Sequence, residues 1–275
     1  MPVVNTFLPA AAGAAAHRYG ISLDRRSVSY VLEALHCRKK RESFDRSSCM
    51  GALNALLGRP VFARGQAPRT NMSVRAHVDL LRRVLDIDTS SLKVVQVAGS
   101  KGKGSTCAFV EHILHKGFGV KTGLFTSPHL VSATERFRIN TEPVSEELFV
   151  EHFWWIWDKL YEAGITFDHD HFPSFFTFFT LMAVRIFMQQ GVEIAILEVG
   201  IGGRLDSTTA VIDNLAACAI SVLDYDHTSM LGNTLTQIAG EKAAVMRDGL
   251  PACIIEQREE VRPQVGWAVW GRTRA

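Results

Sequence analysis

VVQVAGSKGKGST, residues Val94–Thr106, is an apolar run ending in a loop rich in glycine and lysine, with a helical pattern directly behind it. Strand, turn, helix is the order in which a chain builds a cradle for nucleotide phosphates. Glycines let backbone N–H groups approach phosphate oxygens, and the following helix aims its positive end at them. The loop residues Gly99, Ser100, Lys101, Gly102, Lys103, Gly104, Ser105 and Thr106 are therefore candidate nucleotide contacts. Lys103 would reach the terminal phosphates, and Ser105 or Thr106 could offer a hydroxyl to phosphate or magnesium. The spacing departs from GxxxxGK[ST], because Gly104 follows the lysine and the hydroxyl comes one place later.

Outward from the loop, apolar periodicity alternates between helix and strand. It predicts helices over Val74–Leu85, Ser105–Lys116, Glu146–Glu162, Pro173–Gln190 and Thr234–Met246. Strands are expected at Val94–Ala98, Val120–Phe125, Phe137–Ile139, Val192–Val199, Leu215–Leu223 and Pro251–Ile255. Several of these strands are apolar throughout, which implies burial on both faces. The expected fold is α/β: a phosphate-loop NTPase-like parallel sheet with helices on both faces. Ligands of such sheets bind beyond the carboxyl ends of the strands. Lys103, Ser127, Glu198 and His227 each lie at or just beyond the end of a different expected strand, so a lysine, a hydroxyl, a carboxylate and an imidazole are delivered to one edge. Magnesium takes oxygen ligands and keeps several waters, so Ser127, Glu198 and a phosphate suit it. His227 is a less usual partner and could hold a water or a second cation.

The bulk numbers narrow the class. With 275 residues, 47% hydrophobic and 21% charged, the chain can bury a large core. A net charge of +2 points to no polyanionic partner, so no nucleic acid is expected. Five cysteines without a CxxC pair argue against both a disulfide framework and a zinc site. The most apolar stretch, Phe172–Met188, is interrupted by Arg185 and falls short of the roughly 20 residues that cross a bilayer. Residues 1–44 form a basic extension; over 1–41, Arg18, Arg25, Arg26, Arg38, Lys39, Lys40 and Arg41 face only Asp24 and Glu33 among the acids. That leader reads equally as a mitochondrial presequence or as a variable tail. The run Asp168-His169-Asp170-His171 resembles a metal cluster but is expected to be a solvated loop. Trp154, Trp155 and Trp157 are expected in the core, with an aromatic platform for a flat ligand as the alternative.

Five segments in order resemble the folylpolyglutamate synthase family of the Mur ligase superfamily. VAGSKGKGSTCAF (97–109) resembles its phosphate loop, with Ala98 and Ser100 where threonine is usual. TSPHLVSATERFRIN (126–140) resembles its "SSPHL…ERIRIN" segment, and HFPSFFTFFTLMA (171–183) its proline-aromatic helix start. EVGIGGRLDST (198–208) resembles its acidic glycine loop, followed by Thr209 where asparagine is usual. DHTSMLGNTLTQIAGEKAAV (226–245) resembles its "DHT…LG…IA.EKAGI" segment, with Ala244 where glycine is usual.

The resemblance implies an ATP-dependent ligase adding L-glutamate to the γ-carboxylate of a tetrahydrofolate polyglutamate through an acyl phosphate. It implies ATP and magnesium, with a monovalent cation as a further option. Folate and glutamate would be the substrates, and a monomer in the cytoplasm or mitochondrion is expected. By resemblance Lys103 contacts ATP phosphates, Ser127 and Glu198 bind magnesium, and His227 helps bind a second ion. Arg136 would lie near the reacting carboxylates, and Lys242 matches a lysine often carbamylated in the superfamily. Without the resemblance, Arg136 and Arg138 read as an exposed strand edge and Lys242 as a solvated helix residue. The family likeness spans 45–256, the central domain of a Mur ligase; 257–275 no longer reads like the family, and the second domain of full-length members is expected to be missing. A catalytically silent ATP-binding fragment and a dihydrofolate synthase are the alternatives.

Overall fold

The computed structural model describes residues 44–57, 73–167 and 169–265. Most of the basic leader, Asp168 and the last ten residues lie outside them. The elements in chain order are α1 (Cys49–Leu57), α2 (Val74–Val84), β1 (Lys93–Ala98), α3 (Lys103–His112), β2 (Thr122–Phe125), β3 (Phe137–Ile139) and β4 (Glu142–Pro143). They continue with α4 (Glu146–Glu162), α5 (Phe175–Gln189), β5 (Ile194–Glu198), α6 (Ser207–Val211), β6 (Asn214–Ile220), α7 (Thr228–Leu231), α8 (Leu235–Ala243), β7 (Ala252–Ile254) and α9 (Arg262–Val265).

The strands form one sheet of order β4-β3-β2-β5-β1-β6-β7. Its centre is parallel, as expected, but β3 and β4 run antiparallel at one edge, so the sheet is mixed. The chain reverses twice: the 126–136 connection returns β3 along β2, and Asn140 and Thr141, both at positive φ (53° and 77°), make a two-residue hairpin turn that returns β4 along β3.

Alternation of side chains places two layers on the sheet. Val94, Ala195, Leu197 and Phe125 point into the main core, where α4 and α5 supply Phe149, Phe153, Trp157 and Phe179. Val97, Ile196 and Leu124 point the other way, against Cys107 of α3. A third cluster joins Ala98, Val199 and Ile220 to Leu235 and Ala239 of α8. Trp154 and Trp157 are buried among Phe44, Phe153 and Tyr161, so they are core and not a platform. Trp155 instead carries the guanidinium of Arg185, 3.4 Å from its ring centre.

Helix boundaries differ from the expected ones for identifiable reasons. Gly102, at φ 81°, lets α3 begin at Lys103, two residues early, and its α-helical part ends at His112 before a π turn over Ile113–Gly117. Pro173 stays outside α5 because Ser174 caps that helix by accepting from the Thr177 amide. The four described cysteines are free thiols. Among the described residues no helix is long and apolar enough to cross a membrane.

Candidate functional site

The loop between β1 and α3 is the centre of the site. Gly99 has φ 141°, and a Cβ there would lie 1.9 Å from Ser221 Oγ, so only glycine fits against the end of β6. Ser100 and Lys101 fasten the loop from the other side. Ser100 N donates to Val222 O at 2.8 Å, Ser100 Oγ donates to Asp224 O at 2.8 Å, and Lys101 Nζ pairs with Asp224 at 2.7 Å.

Helix α3 then starts without a side-chain cap. The contrast with its neighbours is informative: Ser73, Ser145, Ser174 and Thr234 each close the start of a helix with a hydroxyl oxygen. Apart from the Gly104 amide, which bonds to the Glu198 carboxylate, no side chain closes the first turn of α3, and with Lys103 in that turn it is a ready anion site. Ser105 is exposed, and Thr106 Oγ1 donates back to Gly102 O at 2.9 Å.

Facing this helix start is Glu198, the last residue of β5 and only 5% exposed. Its Oε2 accepts from the Ser127 amide at 2.9 Å, and a Cβ on Gly104 would sit 3.4 Å away from the same oxygen. Burial pushes the Glu198 carboxyl up from its ordinary range, opposed by that amide and by the charges of Lys103 and Arg136. Arg136 is itself buried, donates Nε to His129 Nδ1 at 2.9 Å, and lies 5.4 Å and 5.6 Å from the rings of Phe175 and Phe179. It is therefore not an exposed strand-edge residue. Burial, then the Arg136 charge, lowers the basicity of His129 and leaves its Nδ1 as an acceptor.

On the opposite flank Lys242 is 1% exposed and donates to Gly99 O at 2.9 Å. Its Nζ lies 3.5 Å from Asp226 Oδ2, while Asp226 Oδ1 lies 3.2 Å from His227 Nε2. The solvated reading of Lys242 fails: burial lowers its basicity, helped by Lys103. His227, in the left-handed region at φ 46°, opens α7 and remains half-exposed. A chain of contacts thus runs from the phosphate loop through Lys242 and Asp226 to His227. On the other side the loop meets Glu198, with Ser127 and Arg136 beyond it.

The sequence reading did not single out Asp206, which holds the glycine loop together. It is buried, and one oxygen accepts from the Gly200 and Ile201 amides at 3.1 Å each. The other accepts from the Thr208 amide and hydroxyl at 2.9 Å and 2.5 Å. An acid directly before Ser207-Thr208 is an N-cap signal that could have revealed it. Gln96 was missed as well; it points down from β1 and donates to the hydroxyls of Thr208 and Thr209 at 3.0 Å and 2.8 Å. Away from the rim, His77 Nε2 contacts His171 O at 2.9 Å, and the rings of His169 and His171 lie 5.2 Å apart. Among the described residues no group of three His, Cys, Asp or Glu side chains could hold a metal. The Glu198 site fits magnesium in a different way. One buried carboxylate with a neighbouring hydroxyl residue, beside an open helix start, suits an ion that takes its other ligands from water and phosphate.

Glu198→Gln is expected to stabilise the chain at neutral pH. An acid whose folded pKa is raised binds its proton more tightly when folded, so stability falls as pH rises above the ordinary value of 4.5. The glutamine variant should therefore unfold at a higher temperature at pH 7 and at the same temperature near pH 3. Each kcal/mol relieved is worth about 2–4 °C in a chain of this size. Scanning calorimetry at both pH values checks this, and equal midpoints at pH 7 would contradict it.

No family model matches the chain. It is 43% identical to "Folylpolyglutamate synthase" of Arabidopsis thaliana over 215 residues, covering 77% of this chain and 36% of that protein. It is 45% identical to "Folylpolyglutamate synthase, mitochondrial" of Bos taurus over 173 residues, or 63% of this chain and 29% of that protein. Among solved structures, E. coli FolC in complex with DHPP and ADP superposes with a TM-score of 0.66 at 30% identity, covering 80% of this chain and 48% of the other. A bifunctional folylpolyglutamate synthase/dihydrofolate synthase with Mn, AMPPNP and L-glutamate bound gives 0.59 at 35% identity, covering 72% and 47%. The chain thus spans about a third of the length of these curated relatives and about half of the solved ones.

Proposed function

We propose, from the premise that this chain is similar to folylpolyglutamate synthases over most of its described length, that it binds ATP at Gly99–Thr106 for ligation of L-glutamate to the γ-carboxylate of a reduced folate. The observation that carries the reading is the uncapped start of α3, with Lys103 in its first turn, facing the buried Glu198.

A carboxylate is a poor electrophile and its oxygen a poor leaving group. Transfer of the γ-phosphoryl group of ATP onto it gives an acyl phosphate, and attack by the glutamate amine then releases phosphate. Such transfers need positioning and neutralisation of charge more than covalent help from the protein. The α3 amides and Lys103 screen the phosphates. Arg136, held by His129 and two phenylalanine rings, orients the anionic acceptor. Glu198 and Ser127 would hold magnesium, with His227 beside a second cation, and a bound magnesium ion would neutralise phosphate charge. Lys242, with its basicity lowered by burial, supports the loop through Gly99 O and is the position open to carbamylation. The relatives named mitochondrial favour the presequence reading of residues 1–44, ahead of an ATP-binding domain over 45–256.

The test is to incubate the purified chain with magnesium, ATP, tetrahydrofolate and labelled glutamate, and to titrate it with ATP by calorimetry. Saturable ATP binding with chain-extended folate is expected. Binding without extension would reduce the assignment to nucleotide binding alone, and absence of binding would overturn it.

A further inference from the structure

We infer that Glu111 is a positioning residue that sets the gap between Lys103 and Arg136 from the back of the fold, a role that rests on the ATP-dependent reading above. Glu111 sits at the far end of α3, two turns beyond Lys103, with no exposure at all. Its Oε2 pairs with Arg138 Nη2, and its Oε1 accepts from the Thr141 amide at 3.0 Å. A carboxylate in that position is costly, since burial pushes its pKa up despite the adjacent guanidinium. The proposed chemistry gives Glu111 no direct part, so its burial calls for another explanation.

The topology supplies one. β3 runs antiparallel to β2, with Phe137 paired to Phe125 at the site edge and Ile139 paired to Gly123 away from it. Arg136 therefore stands at the near end of β3, while Arg138 and Thr141 lie towards the far end. Helix α3 has the same polarity, with Lys103 near and Glu111 far. The Glu111 contacts join the two far ends, and Glu198 lies between the two near ends under both positive charges. The result is a closed frame in which phosphate lysine and acceptor arginine are rigidly spaced. Thr141 at φ 77° is a conformation that a β-branched residue rarely adopts, and the bond from its amide to Glu111 helps hold it there.

The experiment compares the full chain with Glu111→Ala, Glu111→Gln and Arg138→Met. Calorimetry measures the affinity for AMPPCP, and then for tetrahydrofolate at saturating AMPPCP and magnesium. Glu111→Ala is expected to leave the AMPPCP Kd within about threefold and to weaken tetrahydrofolate at least tenfold, because misplacement of a substrate-orienting group by about 1 Å is enough for large losses. Glu111→Gln, which can still accept from Thr141, should recover most of the affinity. Arg138→Met should show the same split and serves if Glu111→Ala does not fold. A purely structural role would lower the fraction of competent protein without changing tetrahydrofolate Kd, and that outcome overturns the inference alone. If the unaltered chain fails to bind AMPPCP, the ATP-dependent reading itself falls.

Discussion

Lys103→Ala should reduce any ligation by about 10²–10³-fold, the loss usual when one fixed charge-stabilising donor is removed from a transfer site. Nucleotide affinity should fall too. A hydrogen bond to a charged group contributes roughly 1.5–3 kcal/mol, or about 10- to 150-fold in Kd. The variant should remain folded, since Lys103 is only half-buried at the surface of the loop. Its charge also holds the Glu198 carboxyl down and the Lys242 amine down, so both groups should shift upward when it is removed. Calorimetric titration with ATP beside a glutamate-incorporation assay reads both effects. Undiminished ATP affinity in Lys103→Ala would separate the loop from the nucleotide.

The second large effect is expected at Asp206. Replacement by alanine leaves the amides of Gly200, Ile201 and Thr208 without their shared acceptor and removes the cap of α6. Lost caps cost about 0.5–2 kcal/mol and each unsatisfied buried donor about 1–3 kcal/mol, so a loss on the order of 3–5 kcal/mol is expected. Against a typical total of about 5–15 kcal/mol this is a large fraction. Asp206→Asn should lose less, because burial already disfavours the charge and the amide oxygen still accepts. Urea unfolding of the two variants provides the comparison. Equal stability of Asp206→Ala and the unaltered chain would show that the glycine loop holds without it.

How far the sequence could be read depended on the range of the interaction. Lys103, Ser127, Glu198 and His227 stand at or just beyond strand ends, and local apolar runs reveal strand ends. The five motifs then added Arg136 and Lys242, which periodicity alone had assigned to an exposed edge and a solvated helix. Both are buried because partners 7 and 143 residues away, His129 and Gly99, receive their donors. Glu111 and Arg138, 27 residues apart, gave no local sign of pairing. The β3–β4 return at the sheet edge was illegible for a related reason: a turn with positive φ at Asn140 and Thr141 lacks the glycine that normally announces one.

That edge has a consequence for the protein's behaviour in concentrated solution. The outermost strand offers only Glu142 and Pro143, both exposed, the one charged and the other without an amide to donate. A strand from another molecule finds no ladder to extend there, so sheet-to-sheet polymerisation is blocked on this side. Replacing Pro143 by a β-branched residue would open that side to fibril growth, visible as rising thioflavin fluorescence on prolonged incubation.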